Sequence, residues 1–225
     1  MGDKSMTYKE NFVPISMETW PRAQAFYYYT EMAPTSYTID VRLDVTVLRE
    51  ELKQRGLKFF PAYLWLVTKV IQGIDELRVG VREGVLGIWK ELTPAYPQFH
   101  QDDKTTSLLW TQYHDDFSVF YENYMKDRQE HGNSHGILSS KGLPLPNSFI
   151  ISCIPWFTFE SFSLHNHGIK DYYFPSFEAG KFIVKEGKVL MPLSVTVHHA
   201  TTDGYHLKQF FETLQEGMDN PQNWL

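Results

Sequence analysis

Two adjacent histidines close a β-branched run, and an Asp-Gly pair follows: Val195-Thr196-Val197-His198-His199-Ala200-Thr201-Thr202-Asp203-Gly204. An imidazole takes a proton from a hydroxyl or thiol near neutral pH, so a histidine at a strand end suits general-base work in a group-transfer enzyme. On an extended strand Val195, Val197 and His199 share one face, while Thr196 and His198 share the other. With the valine face in the core, His199 emerges at the core's edge, where a cleft can form. The plain alternative is a half-buried histidine bonded to a backbone carbonyl. Asp203 precedes a helical pattern, so it caps that helix, or does so while also pairing with a cation. Gly204 reads as a conformational requirement of the turn.

Ser152 lies inside the apolar run Ile150-Ile151-Ser152-Cys153-Ile154-Pro155-Trp156. A buried hydroxyl without a partner costs roughly 1–3 kcal/mol. It therefore either bonds a neighbouring carbonyl or is held ready to donate to an oxyanion in a transition state. Cys153 points to the opposite face and reads as an inert core residue. His165-Asn166-His167 has no third or fourth ligand at a recognised spacing, so a solvated loop and no metal are expected there. The signatures of phosphate-cradling loops and dinucleotide sites are missing from the sequence.

The elements that must position these residues follow from periodicity. Asp44 opens a helix carrying Leu48 and Leu52, ended by Gly56. Pro61 is expected at the first position of a second, largely buried helix over residues 62–73. Residues 77–92 read as a hairpin around Arg82-Glu83-Gly84. Asp115-Asp116 introduces a third helix with Phe117, Phe120, Tyr121 and Tyr124 on one face, ending before Gly132. Residues 132–147 read as a loop, and residues 149–154 as a buried strand. Residues 181–199 form a second hairpin around Lys185-Glu186-Gly187-Lys188. A last helix from about Tyr205 carries Leu207, Phe210, Phe211 and Leu214. Interspersed helices and strands without a repeat or linker predict one α/β domain over residues 1–225.

Bulk properties narrow the class. The 225 residues suffice for one sizeable core. A formal charge of −6 without a basic run argues against general nucleic-acid binding. The single cysteine leaves no intramolecular disulfide and suits a reducing compartment. The start, Met1-Gly2-Asp3-Lys4-Ser5-Met6, lacks the apolar core of a signal peptide and the Ser or Thr of a myristoylation pattern. Residues 63–70 are too short to span a bilayer. A cytoplasmic protein without membrane or nucleic-acid partners is the expectation.

The segment from Pro192-Leu193-Ser194 through Asp203-Gly204-Tyr205-His206 resembles the active-site signature of the type A chloramphenicol acetyltransferases. The wider CoA-dependent acyltransferase superfamily shares its His-His-x-x-x-Asp-Gly core. Trp20-Pro21-Arg22, Lys58-Phe59-Phe60-Pro61-Ala62, Asp75-Glu76-Leu77-Arg78 and Phe99-His100-Gln101 match in order. Tyr113-His114-Asp115-Asp116-Phe117, Ser152-Cys153-Ile154-Pro155-Trp156 and Phe159-Glu160-Ser161-Phe162 continue the series, so the similarity spans nearly the whole chain.

That resemblance implies a two-layer α/β sandwich with a large mixed β-sheet, assembled as a homotrimer with active sites between subunits. It implies acetyl transfer from acetyl-CoA to a hydroxyl of chloramphenicol, the chemistry of antibiotic inactivation. His199 then matches the general base, Ser152 the oxyanion donor, and Asp203 with Arg22 the pair that keeps the site's shape. Tyr28, Tyr29, Leu164, Thr106, Asn166 and Glu178 match acceptor-pocket positions, and Ser152, Trp156, Phe60 and Lys181 the CoA side. Family members carry Glu-Thr-Glu-Thr-Phe-Ser where this chain reads Asp102-Asp103-Lys104-Thr105-Thr106-Ser107, so Thr106 replaces a phenylalanine. Asn166 makes the pocket wall more polar, and Glu178 stands in place of a threonine. These three departures leave open the same chemistry on another hydroxyl acceptor. A non-catalytic binding or assembly protein on the same scaffold is the other alternative, and it would require the loss of His199, Ser152 or the Asp203–Arg22 pair, none of which is lost.

Overall fold

The computed structural model describes residues 11–165 and 171–225. Its centre is a large mixed sheet in the order β2-β10-β8-β7-β5-β6, with a short β9 pairing β10. These strands are β2 (Ser36–Asp44), β5 (Thr93–Phe99), β6 (Thr106–Trp110), β7 (Ser148–Ile154), β8 (Ser176–Gly180), β9 (Ile183–Lys185) and β10 (Lys188–His198). Strand β7 runs parallel to both β5 and β8, and the remaining pairs are antiparallel. A separate three-stranded sheet joins β1 (Phe12–Pro14), β4 (Val85–Trp89) and β3 (Val79–Arg82). The expected 77–92 hairpin is therefore present, but outside the main sheet.

Both expected hairpins turn where the sequence offers residues tolerant of positive φ. Glu83 and Gly84 sit at φ 52° and 78°, and Glu186 and Gly187 at 53° and 77°. Two successive positive-φ residues give a turn whose twist matches that of the strands it joins.

The two faces of the large sheet differ by the period-2 rule. Leu193, Val195, Val197, Phe177, Ala179, Phe149 and Ile151 are buried on the helix-covered face. Phe177 packs at 5.1 Å from Phe210 of helix α5 (Gly204–Asp219). The other covering helices are α2 (Thr46–Gln54), α3 (Phe59–Ile71) and α4 (Phe117–His131), and a short α1 (Ala23–Tyr27) continues as a π turn through Met32. Helices over one face of a mixed sheet make the expected two-layer sandwich.

The opposite face is polar: Thr38 and Thr196 bond across β2 and β10 at 2.8 Å. The segment around Phe162 covers part of it, with the Phe162 N–H donating to Asp40 at 3.1 Å and its carbonyl accepting from Ser194.

Helix α3 begins at Phe59, two residues before the expected proline start. Lys58 is extended, and Pro61 still falls in the first turn, where its missing N–H has no intrahelical partner to lose. The third helix is capped as expected, with Asp116 accepting from the N–H groups of Ser118 and Val119. Among the described residues no helix is long and apolar enough to cross a membrane.

Candidate active site

His199 stands immediately beyond β10, its N–H donating to the Thr35 carbonyl at 2.9 Å. The imidazole stacks on Tyr29 with centroids 4.1 Å apart and meets Tyr37 edge-on at 5.0 Å. Two aromatic contacts at an angle to each other fix the ring plane.

Arg22, just ahead of α1, ties the cluster together. Its Nη2 donates to the His199 carbonyl at 3.1 Å and to Asp203 Oδ1 at 3.0 Å, while Nη1 pairs with Oδ2. This two-pronged pairing holds the Asp203 carboxyl below the ordinary carboxylate range, with the Arg22 hydrogen bond the largest cause.

The buried Nδ1 of His199 lies 3.2 Å from Asp203 Oδ1 but makes no directional hydrogen bond. The contact therefore acts through charge: the carboxylate favours a proton on Nδ1 and leaves Nε2 as the acceptor. Asp203 does double duty, because its N–H donates to His206 Nδ1 at 2.9 Å at the start of α5. His198 points the other way, its Nδ1 accepting the Ala200 N–H at 3.2 Å and its ring meeting Tyr173 edge-on at 5.1 Å. Burial, and then His199, push its pKa down, which suits a structural role.

A second group gathers at the far end of β7. Ser152, Phe60, Phe99, Thr106 and Trp156 line a cavity of about 500 Å³. Trp156 is held edge-on against Phe99 at 5.0 Å. Cys153 shares this cavity wall, and burial pushes its thiol up to about 11. Cys153 is only partly buried and lines the same cavity as Ser152, so the expected place in the core on the opposite face is not what is found. At that pKa little thiolate exists near neutral pH. Lys181 follows β8 directly and its N–H bonds the Phe157 carbonyl at 2.6 Å, which joins the end of β8 to the segment after Trp156.

These two groups are separate within one chain. Ser152 aligns with Glu178 on β8, and Glu178 with Ser194 on β10. His199 lies five residues beyond Ser194, and at about 3.3 Å per residue and 4.8 Å between strands this puts it roughly 19 Å from Ser152. Arg22, Asp203, His199, Tyr29 and Tyr28, whose ring sits 5.1 Å from Tyr29, form one cluster. Ser152, Phe60, Thr106 and Trp156 form the other. Leu164 is on the exposed segment after Phe162, and Asn166 and His167 lie outside the described residues.

Glu178, beside Ser152 on the adjacent strand, is not among the residues lining that cavity of about 500 Å³. It is 2% exposed, and among the described residues its carboxyl makes no well-formed hydrogen bond, Ser176 offering only a marginal one. Burial pushes its pKa up to about 7, with Ser176 on the same face opposing part of that rise.

Two residues of the His199 cluster were not singled out from sequence. Tyr37 forms the edge contact, donates to the Thr202 carbonyl at 3.2 Å, and is raised to about 12 by burial and then by Asp203. The alternation of Tyr37, Ile39, Val41 and Leu43 marks a strand that would have found it. His206, whose Nε2 is 3.5 Å from Glu76, buttresses Asp203 from behind. Its sequence signals are its place at the end of the resembling segment and three residues after Asp203 at the helix start.

The chain is similar to known proteins over nearly its whole length. A family model described as Chloramphenicol acetyltransferase matches residues 10–215. A chloramphenicol acetyltransferase of Staphylococcus aureus is 38% identical over 216 residues, 96% of this chain and 99% of that protein. One of Clostridium perfringens is 35% identical over 212 residues, 94% of this chain and 96% of that protein. A solved structure of a chloramphenicol acetyltransferase superposes with a TM-score of 0.81 at 21% identity, covering 92% of this chain and 99% of the other.

Proposed function

This chain belongs to the chloramphenicol acetyltransferase family, and on that premise we propose that His199 of one subunit and Ser152 of another carry its acetyl transfer. The enzyme acetylates a hydroxyl of chloramphenicol with acetyl-CoA as co-substrate, and its relatives favour neither a different acceptor nor a non-catalytic scaffold. Residues 1–225 act as one acetyltransferase domain. The observation that carries the reading is the His199 imidazole, clamped by two tyrosines with Asp203 beside Nδ1 and Nε2 left as base.

The steps follow from that geometry. Nε2 takes the proton of the acceptor hydroxyl as its oxygen attacks the thioester carbonyl carbon. The carbonyl π electrons move onto oxygen, and the Ser152 hydroxyl donates to that oxyanion. Collapse expels the sulfur of CoA, which takes the proton from His199. General-base catalysis supplies roughly 10²–10⁴-fold, and one oxyanion donor about 10²–10³. Direct transfer needs no enzyme nucleophile, in keeping with a Cys153 thiol raised to about 11.

The separation of Ser152 from His199 supports a site shared between copies in a closed ring, here a homotrimer. In that assembly Tyr28, Tyr29, Leu164, Thr106, Asn166 and Glu178 surround the acceptor. Ser152, Phe60, Trp156 and Lys181 take the CoA side, with Trp156 presenting an exposed indole. A cytoplasmic location, where acetyl-CoA is made and used, and a role in antibiotic inactivation complete the proposal. The test is thiol release from acetyl-CoA by the purified protein, with and without chloramphenicol. Release that does not depend on chloramphenicol would overturn the acceptor assignment.

A further inference from the structure

A second cluster of chemically competent side chains lies beyond Phe99 and Thr106, outside the groups assigned to acetyl transfer. The turn joining β5 to β6 carries His100, Asp102 and Asp103, and the segment after α4 carries His135. One ligand atom each from His100, Asp102 and His135 lies within 4.8 Å of the others.

We propose that His100, Asp102 and His135 bind one divalent transition-metal ion of the zinc or cobalt kind, with Asp103 as the carboxylate that orients His135. Two imidazoles and one carboxylate form a borderline donor set, suited to such ions over calcium or magnesium, which take mostly oxygen ligands. Three protein ligands leave a fourth tetrahedral position for water.

The arrangement around His135 is the one a metal-binding histidine needs. Its Nδ1 is 2.8 Å from Asp103 Oδ2, and its Nε2 is 3.2 Å from Asp102 Oδ2. A carboxylate on one ring nitrogen fixes the tautomer and aims the other nitrogen at the ion. Asp103 is itself held, with its Oδ1 accepting from the Thr105 N–H at 2.9 Å and from the Thr105 hydroxyl at 2.7 Å.

His100 is 5% exposed and anchored by Ser107 Oγ at 3.0 Å from its Nε2. An ion pair between His135 and the two aspartates has no use for His100, yet its ring stacks on His135 at 4.2 Å. Tetrahedral ligands sit roughly 3.3 Å apart at a metal–nitrogen distance of about 2.05 Å. Closing to that spacing asks for a tilt of the His135 and Asp102 side chains, which are 43% and 71% exposed. Lys104, in the same turn, directs its amino group to the Gln101 carbonyl at 2.6 Å.

Titration of the purified, chelator-treated protein with Zn²⁺, followed by calorimetry, tests the site, with Co²⁺ absorption reading its coordination. The expected result is one saturable ion per chain, a tetrahedral cobalt spectrum, and a melting temperature that rises with added Zn²⁺. His135→Ala should remove the cobalt spectrum and weaken Zn²⁺ binding at least 100-fold. Asp103→Asn, which touches no ion, should weaken it by roughly 10–100-fold. Both substitutions fall on partly exposed side chains, and unchanged acetyl transfer without metal shows that the variants are folded. Absence of saturable binding overturns the proposal, because the cluster is then an ion-pair network only. Zn²⁺ affinity in His135→Ala equal to that of the parent overturns it as well.

Discussion

Glu178 stands directly across from Ser152 on the adjacent parallel strand, and its carboxyl is buried without a well-formed hydrogen bond among the described residues. Cross-strand neighbours on one face lie within side-chain reach of each other. A carboxyl raised to about 7 is mostly neutral in mildly acidic solution and ionised in alkaline solution. Its charge then develops next to the group proposed to stabilise an oxyanion.

Stability should report this first. The folded pKa exceeds the ordinary value of 4.5, so between about pH 4.5 and 7 the native state holds a proton that the unfolded state has released. Stability from this group therefore falls as pH rises through that window and levels off above it. The full shift corresponds to about 3 kcal/mol at roughly 1.36 kcal/mol per pKa unit. Glu178→Gln should melt higher than the parent at pH 8 and near it at pH 5. Equal melting differences at both pH values would show that Glu178 titrates normally.

Activity should follow with its own signature. Ionised Glu178 competes for the Ser152 hydroxyl and repels a nearby oxyanion, so kcat is expected to fall on the alkaline side in the parent. Glu178→Gln should keep kcat flat there, with Glu178→Thr as a smaller control. An alkaline limb unchanged in both variants would assign it elsewhere.

His199→Ala removes the proposed base and should lower kcat by roughly 10²–10⁴-fold or more. The residues proposed for the CoA side lie away from His199, so acetyl-CoA affinity by calorimetry should stay within a few-fold. Near-normal turnover would remove His199 from the mechanism.

Asp203→Asn keeps the shape and removes the charge facing Nδ1. The expected loss is about 10–100-fold in kcat, since the imidazolium formed during transfer loses its carboxylate. It also leaves Arg22, whose side chain is 14% exposed, without its counter-charge, so the melting temperature should drop. Arg22→Ala combined with Asp203→Asn should cost less than the two singles added, because the singles each orphan a partner. Strict additivity would argue that the pair does not act as a unit.

The parts legible in sequence were those governed by local rules. Asp116 as cap, the two positive-φ hairpin turns and the buried valines before His199 each follow from neighbours in the chain. Strand β5 was hidden by Pro94 and Pro97, which mark turns or edges more often than a strand paired on both sides. Strand β8 was hidden by Glu178, whose burial is a tertiary fact. Arg22 was identified only by resemblance, since its partner is 181 residues away. The distance from Ser152 to His199 depends on strand order, which no local pattern encodes.

That distance decides whether one chain can house a whole site. If one chain housed a whole site, Ser152→Ala and His199→Ala proteins would remain impaired however they were combined. If the site lies between copies, a subunit with intact Ser152 complements one with intact His199. In a ring reassembled from equal amounts of both, roughly a quarter of the interfaces unite the two intact residues. Mixing the variants, unfolding them together and refolding should restore about that fraction of parental activity. The same variants mixed without unfolding should recover little if subunits exchange slowly. Zero recovery after verified reassembly would place both residues' action within one chain, or remove one from the chemistry.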